Sequence, residues 1–441
     1  MPPLERWSTC TGNSSREMKT PAPPPAPCLY FQVHQPYRLA EYDFFQIGER
    51  GYYENDGLNE MVFSKVAEKC YLPATKLFRE LIEKTGGRFR FALSLTGVVM
   101  EQMEDYRPDV LEAFRDLVAT GSVEILGETY YHSLTSLYSS QEFTRQVALH
   151  RTKVREVFGV EPQVFRNTEL VYSNRIATAA EEMGFRGILA EGVPWVWPDS
   201  SVNYLAQAPG VKGIKTLLRN SMLSDDLAFR FSDETWSEYP LTATRYCELL
   251  HGFTGQVLNI FMDFEAIGEH QWRESGIFRF WEEFAPLVLE RGGEFLTPGE
   301  AVARFDADSE YDCVSPTSWA DSERDPSAWT GNVMQQEASL KVHGIEQGVL
   351  ETGDARLLHS WSKLQSSDHF HYMSTKEGPD GTVHRYFSPY DTPYDAYIYF
   401  MNALADLQIR VDRINTLRAV SPLEIPESYA TRALATSSVL P

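Results

Sequence analysis

Carboxylates, histidines and tryptophans recur in this sequence where short apolar runs give way to polar residues, a combination suited to acid–base chemistry on an uncharged substrate. Six clusters have this form. Gln32-Val33-His34-Gln35-Pro36 closes the first apolar run. Alternation along an extended chain puts Gln32 and His34 on one face, and Pro36 stops the strand just past His34. Glu124 and Gly127-Glu128-Thr129-Tyr130-Tyr131-His132 follow a later run. Phe165-Arg166-Asn167-Thr168-Glu169-Leu170 ends another. Phe261-Met262-Asp263-Phe264-Glu265, with Gly268-Glu269-His270 behind it, places Asp263 and Glu265 on one face of an extended chain. Trp195-Val196-Trp197-Pro198 offers indole faces, and Ser367–Met373 (SDHFHYM) carries Asp368, His369 and His371.

A carboxyl group at the end of an apolar strand loses solvation, so it titrates abnormally or pairs with a cation. One outcome is a salt-bridge network with His34, Arg166 and His270 as partners. The other is glycosidic bond cleavage, which needs a protonated acid for the leaving oxygen and a second carboxylate as nucleophile or base. The tryptophans would stack on sugar rings, or serve as core anchors. A metal-assisted hydrolase would draw on His34, Asp263 and His369. No HExxH, facial-triad or cysteine spacing supports it, and neither a metal nor another cofactor is expected. No GxGxxG follows an apolar run, and neither GxxxxGK[ST] nor GxSxG occurs.

The elements that must carry these residues follow from the hydrophobic pattern. Strands are expected at Leu29–Val33, Phe89–Leu95, Val123–Leu126, Val164–Arg166, Gly187–Ala190 and Val257–Phe264, with a shorter one at Glu294–Leu296. Helical patterns separate them: Val110–Thr120, Ser140–Phe158 and Ser173–Met183, each followed by a glycine. Strands separated by helices imply βαβ units and a parallel sheet. Polar residues gathered at the strand ends favour a closed barrel over an open sheet. Residues 191–253, rich in Trp, Pro, Ser and Asn, read as an inserted lid or binding loop. Helices are expected at Val333–Val349, Asp354–Ser366 and Tyr394–Leu417. The expected division is a proline-rich disordered leader (1–27), a barrel (28–305), a helical C-terminal domain completing the cleft (306–430) and a loose tail (431–441).

The whole composition narrows the partners. In 441 residues, 62 acidic side chains against 40 basic ones give a formal charge of −22. Nucleic acid, anionic membranes and polyanionic substrates are disfavoured, because binding them needs clustered Lys and Arg. No run of 18 or more apolar residues occurs, so no membrane span is expected. Five scattered cysteines and the absence of a signal-like apolar segment point to a reducing, cytoplasmic setting.

In this order, YFQVHQPYRL, the segment from Val123 to Leu134, FRNTEL, FMDFEAIGEH and SDHFHYM resemble the five conserved regions of glycoside hydrolase family 57, most closely its α-amylase-like members. The resemblance implies an incomplete (β/α)7 barrel followed by a helical bundle. It further implies a retaining enzyme on α-1,4-glucans, with Glu169 as nucleophile and Asp263 as acid/base. His34, Glu124, Glu265 and Asp368 match sugar-contacting positions. His132, Arg166, Trp195, Trp197, His270 and His369 are assigned to the cleft by location. Both catalytic positions are kept, which favours an enzyme over an inactive glucan-binding protein; a 4-α-glucanotransferase or branching enzyme would use the same pair. Arg166 would keep Glu169 charged, and Phe261, Phe264 and Glu169 would raise the Asp263 pKa.

Overall fold

The computed structural model describes residues 25–198 and 201–420. Seven parallel strands form its centre: β1 (Ala26–Val33), β2 (Phe91–Leu95), β3 (Val123–Ile125), β4 (Val164–Arg166), β5 (Gly187–Glu191), β6 (Lys215–Arg219) and β7 (Val257–Asp263). β1 sits between β2 and β7, with Tyr30 beside Ala92 on one side and Phe261 on the other. β2 continues to β3, and a second sheet runs β4–β5–β6. Two narrow seams join the sheets. Gly127 N–H donates to Val164 O (2.9 Å) and Arg166 N–H to Gly127 O (2.8 Å) between β3 and β4. Asn220 N–H donates to Asn259 O (2.8 Å) between β6 and β7. The result is an incomplete (β/α)7 barrel, closed by few bonds at both seams, with a helical region after it.

Alternation along β1 sorts its side chains. Leu29, Phe31 and Val33 face outward into a core with Phe78, Phe91, Phe264 and Trp281. The Phe31 ring lies 5.5 Å from Phe78 and 5.7 Å from both Phe264 and Trp281. Each such buried side chain contributes about 1.5–3 kcal/mol over an exposed one. Cys28 and Tyr30 face inward with Leu126, Val164 and Phe261. The inner face then turns polar: Tyr30 O–H donates to Gln32 Oε1 (2.8 Å), and Gln32 Nε2–H to Glu128 Oε2 (3.3 Å). That polar layer is the floor beneath the strand ends.

Beyond the barrel come helices Val333–Gly344, Glu346–Thr352, Ala355–Lys363, Ser367–His371, Gly378–Phe387 and Pro393–Val420. Trp361, Phe370, Phe400 and Leu404 share one continuous core with Phe165, Tyr172 and Ile188 of the barrel. Among the described residues no helix is long and apolar enough to cross a membrane.

Several expectations change. Residues 191–253 are not one insertion, because they contain the sixth barrel strand and helices Ser221–Ala228 and Ala243–His251. β6 escapes detection because its apolar centre is short and both ends are charged. Lys215 Nζ donates to Val302 O (2.9 Å), and Arg219 is buried with Glu191. Glu294–Leu296 forms no strand; Leu296 N–H makes a single bond to Pro27 O (3.1 Å). β1 starts at Ala26, inside the span expected as leader, whose residues 1–24 lie outside the described residues, as does the 431–441 tail. The 333–349 helix divides at Ile345.

Tyr130, just before His132, lies flat against Gly97, where an added Cβ would drive into the ring. Gly97→Ala is expected to lower stability by about 1–3 kcal/mol through overpacking, read as a lower urea midpoint at unchanged slope.

Candidate active site

The carboxyl-terminal ends of the strands carry the polar clusters. His34 follows β1, Glu128 and His132 follow β3, Glu169 follows β4, and Asp263 ends β7. Helix Ser367–His371 brings Ser367 and Asp368 to the same place. β4 is followed by a tight turn in which Glu169 (φ 57°) and Leu170 (φ 49°) are both left-handed. Such a conformation costs about 1–3 kcal/mol per non-glycine residue and persists only where its surroundings impose it. Here Asn167 Nδ2–H donates to Val171 O (2.8 Å) and Ser318 Oγ–H to Glu169 O (2.9 Å).

Three donors hold the Glu169 carboxylate. His132 Nε2–H (3.0 Å) and Ser367 Oγ–H (3.1 Å) reach Oε1, and Trp319 Nε1–H (2.8 Å) reaches Oε2. Burial alone would raise the Glu169 pKa. His132, Arg166 and Trp319 outweigh burial and hold it down at about 2. His132 is likewise disfavoured as a cation by burial, yet Glu128, 3.8 Å from Nδ1, and Glu169 raise it to about 9. It is therefore an imidazolium between two carboxylates.

His34 stacks on it, ring centroids 3.9 Å apart. Burial and the His132 charge lower the His34 pKa against the pull of Asp368, so His34 is neutral. Its partners fix the tautomer. Thr96 Oγ accepts from Val99 N–H and so has its own proton for His34 Nδ1 (2.9 Å), while His34 Nε2–H donates to Asp368 (3.0 Å).

Asp263 has the opposite state. No described residue donates a hydrogen bond to its carboxyl, and burial together with Glu169 raises its pKa to about 6 against Arg166, His132 and Arg219. Glu265, two residues on, is raised to about 8 by burial and by Asp263. Tyr71 O–H donates to Glu265. Tyr71 closes a π-helical turn at Ala67–Tyr71, a form that often marks functional sites.

Of the remaining expected site residues, Arg166 stays beside the cluster and the others are dispersed. Glu124 lies near the amino-terminal end of β3, away from the cluster. It accepts from Gly299 N–H (2.8 Å) at the start of helix Pro298–Arg304. Arg166 has no exposed surface; it acts through charge, with none of its guanidinium nitrogens hydrogen-bonded to a described residue. His369 turns into the helical core, 5.8 Å from Phe400. His270 lies edge-on to Tyr386 and Phe387. Trp195 is 61% exposed, whereas Trp197 packs on Tyr311 at 5.7 Å. Sequence reasoning passed over Trp319, Tyr71 and Arg219. Trp319 sits in a loop with no periodicity, a π-bulge leaves no pattern, and Arg219 belongs to the undetected strand.

His34, His132 and Asp368 lie close enough to suggest a metal site. With His132 an imidazolium and His34 Nε2–H donating to Asp368, the ring nitrogens that face this cluster carry protons and offer an ion no lone pair. At Asp321, Glu323 and Asp380, the Lys376 ammonium already fills the cation position, 2.7 Å from Asp321 and 3.0 Å from Glu323.

A barrel whose mouth holds one carboxyl well below its ordinary pKa and another well above it has the equipment of an enzyme acting on glycosidic bonds. Residues 28–313 match Glycosyl hydrolase family 57. A protein named "Putative alpha-amylase" from Methanocaldococcus jannaschii is 41% identical over 402 residues, 87% of this chain and 84% of that one. The chain belongs to glycosyl hydrolase family 57. Its fold is similar to that of a GH57-type branching enzyme from Pyrococcus horikoshii (TM-score 0.62, 16% identity, 82% of this chain and 87% of that one). It is also similar to a 4-alpha-glucanotransferase from Thermococcus litoralis (TM-score 0.58, 16% identity, 79% of this chain and 56% of that one).

The Glu265 carboxyl takes up its proton near pH 8 when folded, against an ordinary value of 4.5. The folded state holds more protons across that window, so this group's contribution to stability falls as pH rises through it. Glu265→Gln keeps the shape and removes the titration. Relative to wild type it is expected to gain stability between about pH 5 and about pH 8, by a few kcal/mol at most, measured by urea unfolding at both ends.

Proposed function

We propose that the chain is a retaining glycoside hydrolase that cleaves α-1,4-glucosidic bonds of starch- or glycogen-type glucans, with Glu169 as nucleophile and Asp263 as acid/base. The observation that carries this reading is the split protonation of two neighbouring carboxyls, Glu169 held near 2 and Asp263 raised to about 6. Ionised Glu169 attacks the anomeric carbon while Asp263 passes its proton to the departing oxygen. The bond to the leaving sugar breaks, a glycosyl–Glu169 ester forms, and Asp263 is left as carboxylate. It then takes a proton from water, whose oxygen displaces Glu169. A carboxylate with three hydrogen-bond donors is a weak base and hence a good leaving group, which favours the second step.

Asp368 and Glu265, beside this pair, are suited to bind sugar hydroxyls. The helical part, which we delimit at 306–430 with 421–430 outside the described residues, would complete the cleft through Trp319, Ser367 and Asp368. A second reading, transfer to another sugar hydroxyl in place of water, is supported by the likeness of fold to proteins described as a branching enzyme and a 4-alpha-glucanotransferase. The cytoplasmic assignment is supported by four buried, unbridged thiols among the described residues: Cys28, Cys70, Cys247 and Cys313.

Glu169→Gln and Asp263→Asn are each expected to lower turnover of a maltooligosaccharide by several orders of magnitude with the fold intact. Wild-type kcat/KM should decline as pH passes about 6, where Asp263 gives up its proton. Near-normal rates in either variant would remove that residue from its role. Anomer-resolved product analysis decides the rest: an inverted first product defeats double displacement, and products longer than the substrate favour transfer.

Trp319→Phe keeps an aromatic ring, smaller than the indole, and deletes one charge-assisted hydrogen bond to the nucleophile. A roughly 10- to 100-fold fall in kcat/KM is expected, with circular dichroism unchanged. An unaffected rate would mean that His132 and Ser367 suffice.

A further inference from the structure

A cavity of about 470 Å3 opens outside the carboxylate cluster, between helices Ser221–Ala228 and Ala243–His251 and the loop joining them. Met222, Leu223, Asp226, Arg230, Trp236 and Glu238 form its walls, over a floor of Leu249 and Phe253. Its volume falls in the range of sites that hold a small molecule. Two neighbouring polar groups there keep unused capacity. The Asp226 side chain is only 7% exposed, and its Oδ1 takes both bonds from Arg230 (2.9 and 2.6 Å). Its Oδ2 accepts from no described residue, and Arg230 Nη1 donates to none. A free acceptor beside a free donor, with an apolar floor and the Trp236 indole, over which Arg230 lies at 5.6 Å, matches a sugar ring: vicinal hydroxyls for the ion pair, an apolar face for the aromatic and apolar lining. Asp226 is paired with Arg230 and Glu238 with Arg245 (2.7 Å), so the wall carries no net charge and suits an uncharged ligand.

The placement relates this cavity to the reaction. Asp225 and Asp226 are consecutive on one helix and face different ways. Asp225 accepts from Arg219 at the end of β6 and lies 3.6 Å from Arg324, in the loop that carries Trp319. Asp226 faces the cavity. Gln271 Nε2–H, in the loop after β7, donates to Ala228 O (2.8 Å) and ties the same helix to the mouth. We infer that this cavity is an accessory binding site for a neutral glucan chain, holding a distal part of a polysaccharide whose scissile bond lies at Asp263. The inference rests on the α-glucan reading above.

Met222, 53% exposed on the rim, allows one test that leaves Asp226, Arg230 and Trp236 in place: Met222→Trp fills the opening. A second variant, Trp236→Ala, removes the wall. With full-length protein, both variants are expected to raise the half-saturating concentration for amylose roughly 3- to 10-fold and to leave maltotriose turnover unchanged. Unchanged amylose kinetics in both variants, or an equal loss on the two substrates, overturns the site. Calorimetry of maltoheptaose binding to full-length Glu169→Gln, with and without Met222→Trp, separates this proposal from the catalytic one. A binding event lost with Met222→Trp upholds the cavity even if wild type turns over no α-glucan. Identical isotherms overturn it even where turnover is normal.

Discussion

The site depends on one ion, the His132 imidazolium. It is buried, it lies between the carboxylates of Glu128 and Glu169, and its ring stacks on His34. Two imidazoles at that spacing cannot both carry charge without strong repulsion, so the proton stays where the carboxylates are and His34 remains a neutral link to Asp368. The charge on His132 is the main reason that a buried Glu169 stays ionised. It also accounts for a separation that sequence chemistry left open: both Glu169 and Asp263 sit at strand ends, yet only one has a cation in contact.

Much of this arrangement was legible. The outward and inward faces of β1 follow from simple alternation, and the five motifs located Glu169 and Asp263 at strand ends. Periodicity placed helix Ser140–Phe158 at its observed bounds, because that helix is amphipathic and ends at Gly159 in a left-handed cap. Arg166 was expected to be the partner that charges Glu169, from proximity in sequence. The stronger partner, His132, comes from another strand, a relation that one sequence does not encode locally.

Other parts were not legible for physical reasons. β6 has three central residues between two charged ones, too short a pattern to register, and its loss made 191–253 look like one insertion. Glu124 shares a short segment with Glu128, but Glu124 lies within β3 and Glu128 beyond its carboxyl-terminal end. One carboxylate therefore meets a helix amino terminus near the far end while the other meets His132. Trp319 reaches Glu169 from a loop with no periodic pattern, held within itself by Arg324 to the Trp319 carbonyl and to the barrel by Tyr172 to Thr317.

The balance at Asp263 shows why the cations are placed as they are. Burial and the negative Glu169 both drive the Asp263 carboxyl upward, and unopposed they would leave it too weak an acid to release its proton to a departing oxygen. Arg166, His132 and Arg219 pull in the other direction without touching it. Arg166 is suited to this because none of its nitrogens is committed to a described acceptor: it lies 4.0 Å from Glu128 and 5.1 Å from the Trp319 ring. Only Glu128 lies at ion-pair range, and the charge acts on both carboxyls through a low-dielectric interior. A direct salt bridge to either would have fixed that group as a carboxylate and left the other with less. Holding the guanidinium back from both lets one cation keep Glu169 ionised and still leave Asp263 close to the pH at which a proton can be both given and taken.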